Sequence, residues 1–87
     1  MSHSVFLHPD VEKYLDSLSK SERKKCYIGL KKLAEDPYKA GSGCDIKRMG
    51  GKKPYYRLRI GNSRFLYVIS GNEVLIEEAF KRGKRYS

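Results

Sequence analysis

The chain has 87 residues, 39% of them apolar, with 19 Lys and Arg against 10 Asp and Glu for a net charge of +9. That length allows one domain with a modest core and excludes a deep pocket, while the apolar share excludes a disordered chain. No apolar run approaches membrane-spanning length and no leader with an apolar stretch is read at the N-terminus, so a soluble cytoplasmic protein is expected.

Ser4 to Leu7 reads as a short strand. Pro9 suits the first turn of a helix, where its missing N–H has no partner to lose. Val11, Tyr14, Leu15 and Leu18 follow at i, i+3, i+4 and i+7, one apolar helical face. Ser19-Lys-Ser-Glu22 has the spacing of a capping box and opens a second helix. The apolar face of that helix takes Cys26 or Tyr27 with Leu30, Leu33 and Ala34, and Asp36-Pro37 ends it. The two helices form a hairpin.

Residues 40–43 form a Gly-rich loop, and beyond them the period changes. Asp45 to Met49 reads as a strand and Gly50 to Pro54 as a turn. Tyr56, Leu58 and Ile60 alternate with Tyr55, Arg57 and Arg59, a strand pattern. Gly61-Asn62-Ser63 turns the chain into a strand from Arg64 to Ile69. Ser70-Gly71-Asn72 leads to another from Val74 to Phe80, and a basic tail follows. Connections this short require antiparallel neighbours. The expectation is one α+β domain over residues 1–87, with an N-terminal strand and a two-helix hairpin packed on a C-terminal antiparallel sheet.

The charge is unevenly placed. Residues 1–43 carry eight basic and six acidic side chains, whereas residues 44–87 carry eleven and four, a surplus of seven. Such a surplus points to a polyanionic partner: nucleic acid, an acidic protein or a membrane surface. Alternation puts Tyr55, Arg57 and Arg59 on the side opposite Tyr56, Leu58 and Ile60. Arg64 opens the neighbouring strand, Arg82 ends the next, and Tyr86 follows it. A meander gathers these groups onto one surface. Guanidinium forks bind phosphate oxygens in bidentate geometry, and Tyr rings stack on unpaired bases. On one strand, such charges are ordinarily a solvated face. Here three strands and the tail agree, and carboxylates are few, so phosphate-backbone binding is expected, with Tyr55, Arg59, Lys81, Lys84 and Arg85 as RNA contacts beside the arginines above. The helical cations Arg23, Lys24, Lys25, Lys31 and Lys32 read as a solvated helix face in preference to a ribosomal RNA contact.

Other chemistry is thinly represented. The histidines, His3 and His8, both lie near the N-terminus, so a two-histidine ribonuclease site is hard to build. No Cys/His cluster has zinc-ligand spacing. Asp45, Glu73, Glu77 and Glu78 do not suggest a metal nuclease, and Glu77 and Glu78 are expected to pair with nearby Lys or Arg. No phosphate-cradling Gly-rich motif is present. No metal and no cofactor are expected. Cys26 and Cys44 lack CxxC spacing, and Cys26 reads as a buried free thiol on a helix in preference to the alternative, a disulfide to Cys44.

The run Tyr55-Tyr-Arg-Leu-Arg-Ile-Gly-Asn-Ser-Arg-Phe-Leu-Tyr-Val68, followed by Glu77-Glu-Ala-Phe-Lys-Arg-Gly-Lys-Arg-Tyr86, resembles the RelE/ParE toxin superfamily. It is most similar to the RelE branch, including its archaeal members, and the resemblance covers nearly the whole chain. It implies a RelE-like microbial ribonuclease fold and codon-dependent cleavage of mRNA in the ribosomal A site, by metal-independent attack of a 2′-OH. It also implies a cognate RelB-like antitoxin that wraps the toxin, which is monomeric when alone. Arg64 matches the family arginine that starts the central strand and contacts the scissile phosphate. Arg82 matches the arginine at the end of the C-terminal strand, and Tyr86 resembles the terminal tyrosine. Arg57 falls where some members place a catalytic lysine. Lys52 or Lys53 stands for a further lysine on the preceding loop and joins the expected RNA contacts. An arginine is a poor general base because it hardly deprotonates, which leaves Tyr86, Lys53 or a ribosomal group for that role. The expected function is a ribosome-dependent endoribonuclease toxin. The alternatives are a ParE-like DNA gyrase inhibitor and a noncatalytic RNA- or ribosome-binding module. The set Arg64, Arg82 and Tyr86 favours the first.

Overall fold

The computed structural model describes residues 3–38, 45–49 and 55–83. In chain order the elements are β1 (Ser4–Leu7), α1 (Pro9–Asp16), α2 (Lys20–Glu35), β2 (Asp45–Met49), β3 (Tyr55–Ile60), β4 (Ser63–Ser70) and β5 (Glu73–Lys81). All strands belong to one sheet ordered β1-β5-β4-β3-β2. Strands β2 to β5 pair antiparallel with their sequence neighbours, whereas β1 lies parallel to β5. The architecture is α+β as expected, with a mixed sheet. Short turns dictate the direction of β3, β4 and β5 but say nothing about β1, which enters the sheet from a distant part of the sequence.

Both helices are capped by their own local sequence. The His8 Nδ1 accepts from the Asp10 N–H at 3.0 Å, and Pro9 occupies the first turn of α1. Ser19 Oγ accepts from the Glu22 N–H at 3.3 Å and donates to Glu22 Oε1 at 3.1 Å, which completes the capping box. Helix α2 ends at Glu35, just before Asp36-Pro37. Among the described residues no helix is long and apolar enough to cross a membrane.

Helical residues Val11, Leu15, Cys26, Leu30 and Leu33, together with Leu18, meet Ile46, Leu58, Phe65, Tyr67, Val74 and Ile76 from the sheet. The sheet residues of this cluster share one face by register, so the helical hairpin covers that face. Cys26 takes the inward position on α2, while Tyr27 is 47% exposed. Gly29 brings the helix close to β3: a Cβ there would overlap the Ile60 Cδ1. Tyr67 is fully buried and stacks on Tyr56 with ring centroids 5.4 Å apart. Its hydroxyl donates to the Pro37 carbonyl at 2.7 Å and ties the exit of α2 to the sheet.

Burial pushes the Cys26 thiol above its usual range, against the lowering effect of the Ser63 hydroxyl. The thiolate is the reactive form, so iodoacetamide should label Cys26 slowly in the folded protein and readily once it is unfolded. Peptide mass mapping reads the site directly. Fast native labelling of Cys26 would contradict its placement in the core.

Two details shape the sheet. The hairpin turns are tighter than the sequence pattern suggests, because Ser63 and Ser70 belong to β4 and Glu73 to β5. Gly61 (φ 57°) and Gly71 (φ 59°) supply the left-handed backbone that two-residue hairpins require. The register also slips between Leu66 and Tyr67: Leu66 faces Glu78, but Tyr67 faces Ile76. Glu77 is the extra residue of a β-bulge. Beyond it, Ala79 meets Phe65 on the helical side, and Glu78 and Phe80 turn to the opposite face.

Candidate nucleic-acid interface

The face away from the helices carries the cationic groups. Arg57 lies opposite Lys47 on β2 and Leu66 on β4, and Arg59 lies opposite Asp45 and Arg64. Arg64 in turn lies opposite Phe80. Residues paired across strands share a face, so Lys47, Arg57, Arg59 and Arg64 project together, with Tyr55 on the same side. This is the alternation read from the sequence. Arg82 follows β5 in a turn, and its N–H donates to the Asn62 carbonyl at 2.7 Å. That bond brings Arg82 to the end of the sheet where Arg59 and Arg64 stand.

The electrostatics record this convergence. The pKa of Arg64 is lowered from its usual value, first by desolvation and then by the charges of Arg59, Arg57 and Arg82, with Asp45 opposing. Like charges directly opposite one another destabilise a sheet, so Arg59 against Arg64 is a local cost. Asp45 forms an ion pair with Arg59. The Arg64 Nη1 donates to the carbonyls of Gly61 and Ser63, each at 3.3 Å. Arg57 is held differently: its Nε is buried and has no hydrogen-bond partner among the described residues. An unmatched buried donor costs about 1–3 kcal/mol. An incoming phosphate oxygen would relieve the mutual repulsion of the guanidinium groups. The arrangement suits an oxyanion that gains charge.

Tyr55 is committed to another contact. Its hydroxyl donates to Glu77 Oε1 at 3.0 Å. The hydrogen bond to Glu77 and then the charge of that carboxylate raise its pKa, which keeps the phenol protonated. Glu77, expected to pair with a Lys or Arg, takes this bond because the bulge removes it from the ordinary alternation. The histidines are used elsewhere. His3 packs edge-to-face on Tyr38 at 6.0 Å, and His8 caps α1.

The sequence-derived candidates divide into three groups. Arg57, Arg59, Arg64, Arg82 and Tyr55 come to one face or to its end. Lys81 lies opposite Ser63, on the helical side of the sheet, and is exposed. Lys52, Lys53, Lys84, Arg85 and Tyr86 lie outside the described residues. Lys47 was not singled out from the sequence, although strand alternation from Asp45 to Met49 contains the signal. Asp45 as the partner of Arg59 depends on the β2–β3 register, which the sequence does not display.

No protein-family model matches the chain, and no curated protein matches its sequence. Solved structures do match its fold. The archaeal RelE–RelB complex of Pyrococcus horikoshii contains a chain superposing with a TM-score of 0.82 at 25% identity, covering 98% of this chain and 100% of that one. A chain of the Methanococcus jannaschii RelB–RelE antitoxin–toxin complex gives 0.71 at 20% identity, with 87% and 88% covered. A chain of a Mycobacterium tuberculosis RelBE toxin–antitoxin complex gives 0.77 at 17% identity, with 94% and 100% covered.

Proposed function

We propose that this RelE-like chain is the toxin of a toxin–antitoxin pair and that it cleaves messenger RNA on the ribosome. The observation that carries the proposal is the cluster around Arg64. Arg59 lies opposite it in the ladder, and the charges of Arg57 and Arg82 bear on it as well. Such a site binds a phosphate and binds it better as its charge grows.

The chemistry follows from that preference. A base takes the proton of a ribose 2′-OH, and the oxygen attacks the adjacent phosphorus. Negative charge builds on the non-bridging oxygens, where preorganised guanidinium groups stabilise the transition state more than the ground state. The P–O5′ bond breaks, and the leaving oxygen takes a proton. The products are a 2′,3′-cyclic phosphate and a 5′-hydroxyl. These steps need proton transfer and anion stabilisation only, so no metal is invoked. Arg57, Arg64 and Arg82 hold the phosphate. Tyr86, Lys53 or a ribosomal group supplies the base, since an arginine cannot. Arg59, Tyr55, Lys52, Lys53, Lys84 and Arg85 contact the RNA, whereas Lys81 stands on the helical side of the sheet, away from the RNA. Positioning by the ribosome compensates for the missing histidine base. A RelB-like antitoxin is the second partner. An apolar groove between β1 and α2, lined by Val5, Leu7, Tyr27, Leu30 and Ala34, supports a protein-binding surface in addition to the basic face.

Induced in cells, the protein should stop methionine incorporation before thymidine incorporation. The reverse order, with broken DNA, would indicate a gyrase poison instead. Binding to single-stranded RNA should also weaken steeply with salt. Four phosphate contacts give a slope of about −3 in log affinity against log salt concentration. Fluorescence anisotropy measures this slope, and a flat response would remove the basic face from the account.

A further inference from the structure

The turn that serves the arginine cluster is held from behind by α1. Ser63 is the single buried polar or charged residue among those described, 5% exposed. Its Oγ lies 2.7 Å from the hydroxyl of Tyr14, so α1 is bonded to the first residue of β4 across 49 positions of sequence. Cys26 of α2 lines the same small pocket as Ser63. The Tyr14 ring is fixed edge-to-face on Phe65, with centroids 6.3 Å apart. The side chain of residue 63 is therefore held by α1.

The backbone of the same turn holds the arginines. The carbonyls of Gly61 and Ser63 accept from the Arg64 guanidinium, and the Asn62 carbonyl accepts from the Arg82 N–H. A small pocket of about 140 Å³ adjoins the turn, lined by Cys26, Ile60, Gly61, Asn62 and Ser63 among others. The Tyr14–Ser63 bond is the side-chain hydrogen bond that ties this turn to α1.

We infer that Tyr14 and Ser63 are positioning residues, whose hydrogen bond seats the β3–β4 turn on α1 and sets the placement of Arg64 relative to Arg82, taking the cluster as the cleavage site proposed above. Neither side chain meets the RNA. Each acts through the turn, so its loss lowers the rate of the chemical step and leaves RNA affinity unchanged.

Tyr14→Phe keeps the ring on Phe65 and removes only the hydroxyl. It should slow single-turnover cleavage on programmed ribosomes on the order of tenfold at saturating protein, because small misplacements of aligned groups are costly. The protein concentration giving half the maximal rate should not change. Ser63→Ala should behave alike, Ser63→Thr should retain activity, and the double variant Tyr14→Phe/Ser63→Ala should be no slower than either single variant. A second readout needs no RNA: amide exchange at the Arg82 N–H should quicken in Tyr14→Phe while the Tyr67 amide stays protected. Wild-type cleavage and wild-type Arg82 exchange in Tyr14→Phe would overturn the inference. A slower rate accompanied by uniformly faster exchange would also overturn it, because the role would then be only structural. If the wild-type protein cuts no RNA, the cleavage reading fails, and Arg82 exchange still decides whether the pin exists.

Discussion

Arg64→Ala should lower single-turnover mRNA cleavage by roughly 100- to 1,000-fold, the usual cost of deleting one preorganised donor to a developing oxyanion. Arg82→Ala should fall in the same range. Arg64 stands where β4 leaves its turn, within reach of three other guanidinium groups, and its own Nη1 is steadied by two backbone carbonyls. Arg64→Lys should be intermediate, because an ammonium keeps the charge and loses the fork. The fold should not suffer in any of these variants. Arg64 faces Arg59 across the ladder, and removing one of two opposed like charges removes a repulsion. The melting temperature of Arg64→Ala should therefore equal or exceed that of the wild type. An Arg64→Ala protein that cleaves at the wild-type rate would contradict the proposal that Arg64 holds the phosphate.

The largest loss of stability is expected for Tyr67→Ala, about 3–5 kcal/mol, the range for truncating a buried aromatic ring. Domains have only about 5–15 kcal/mol in total, so this variant should be at the margin of folding. Tyr67 has no exposed surface, stacks on Tyr56 and donates to the Pro37 carbonyl. Tyr67→Phe keeps the ring and leaves that carbonyl without its phenol donor, for about 1–3 kcal/mol. Urea unfolding of the two variants separates packing from hydrogen bonding. Equal losses in both would show that the ring contributes nothing beyond its hydroxyl.

The sequence displays the parts of this fold that local chemistry governs. The Ser19–Glu22 box, the Pro37 stop and the alternation from Tyr55 to Ile60 are each visible within a few residues, and each stands where it was read. What depends on pairing between distant segments was not visible. The parallel seat of β1 on β5 is one case. The bulge at Glu77 is another: simple alternation from Val74 places Glu78 and Phe80 on the core side, and the slip turns both outward. The site divides in the same way. Strand period assigns Arg57 and Arg59 to one face, and a tight turn brings Arg64 beside Arg59. The Tyr14–Ser63 bond links residues 49 positions apart, and neither residue type announces the contact.

Mapping the 5′ ends of a translated message by primer extension tests most directly the proposal that this chain cuts messenger RNA. After induction of the wild-type protein, new ends should appear at regular codon positions within the translated region and be absent with Arg64→Ala. Intact message in cells whose growth the wild-type protein has arrested would contradict the claim.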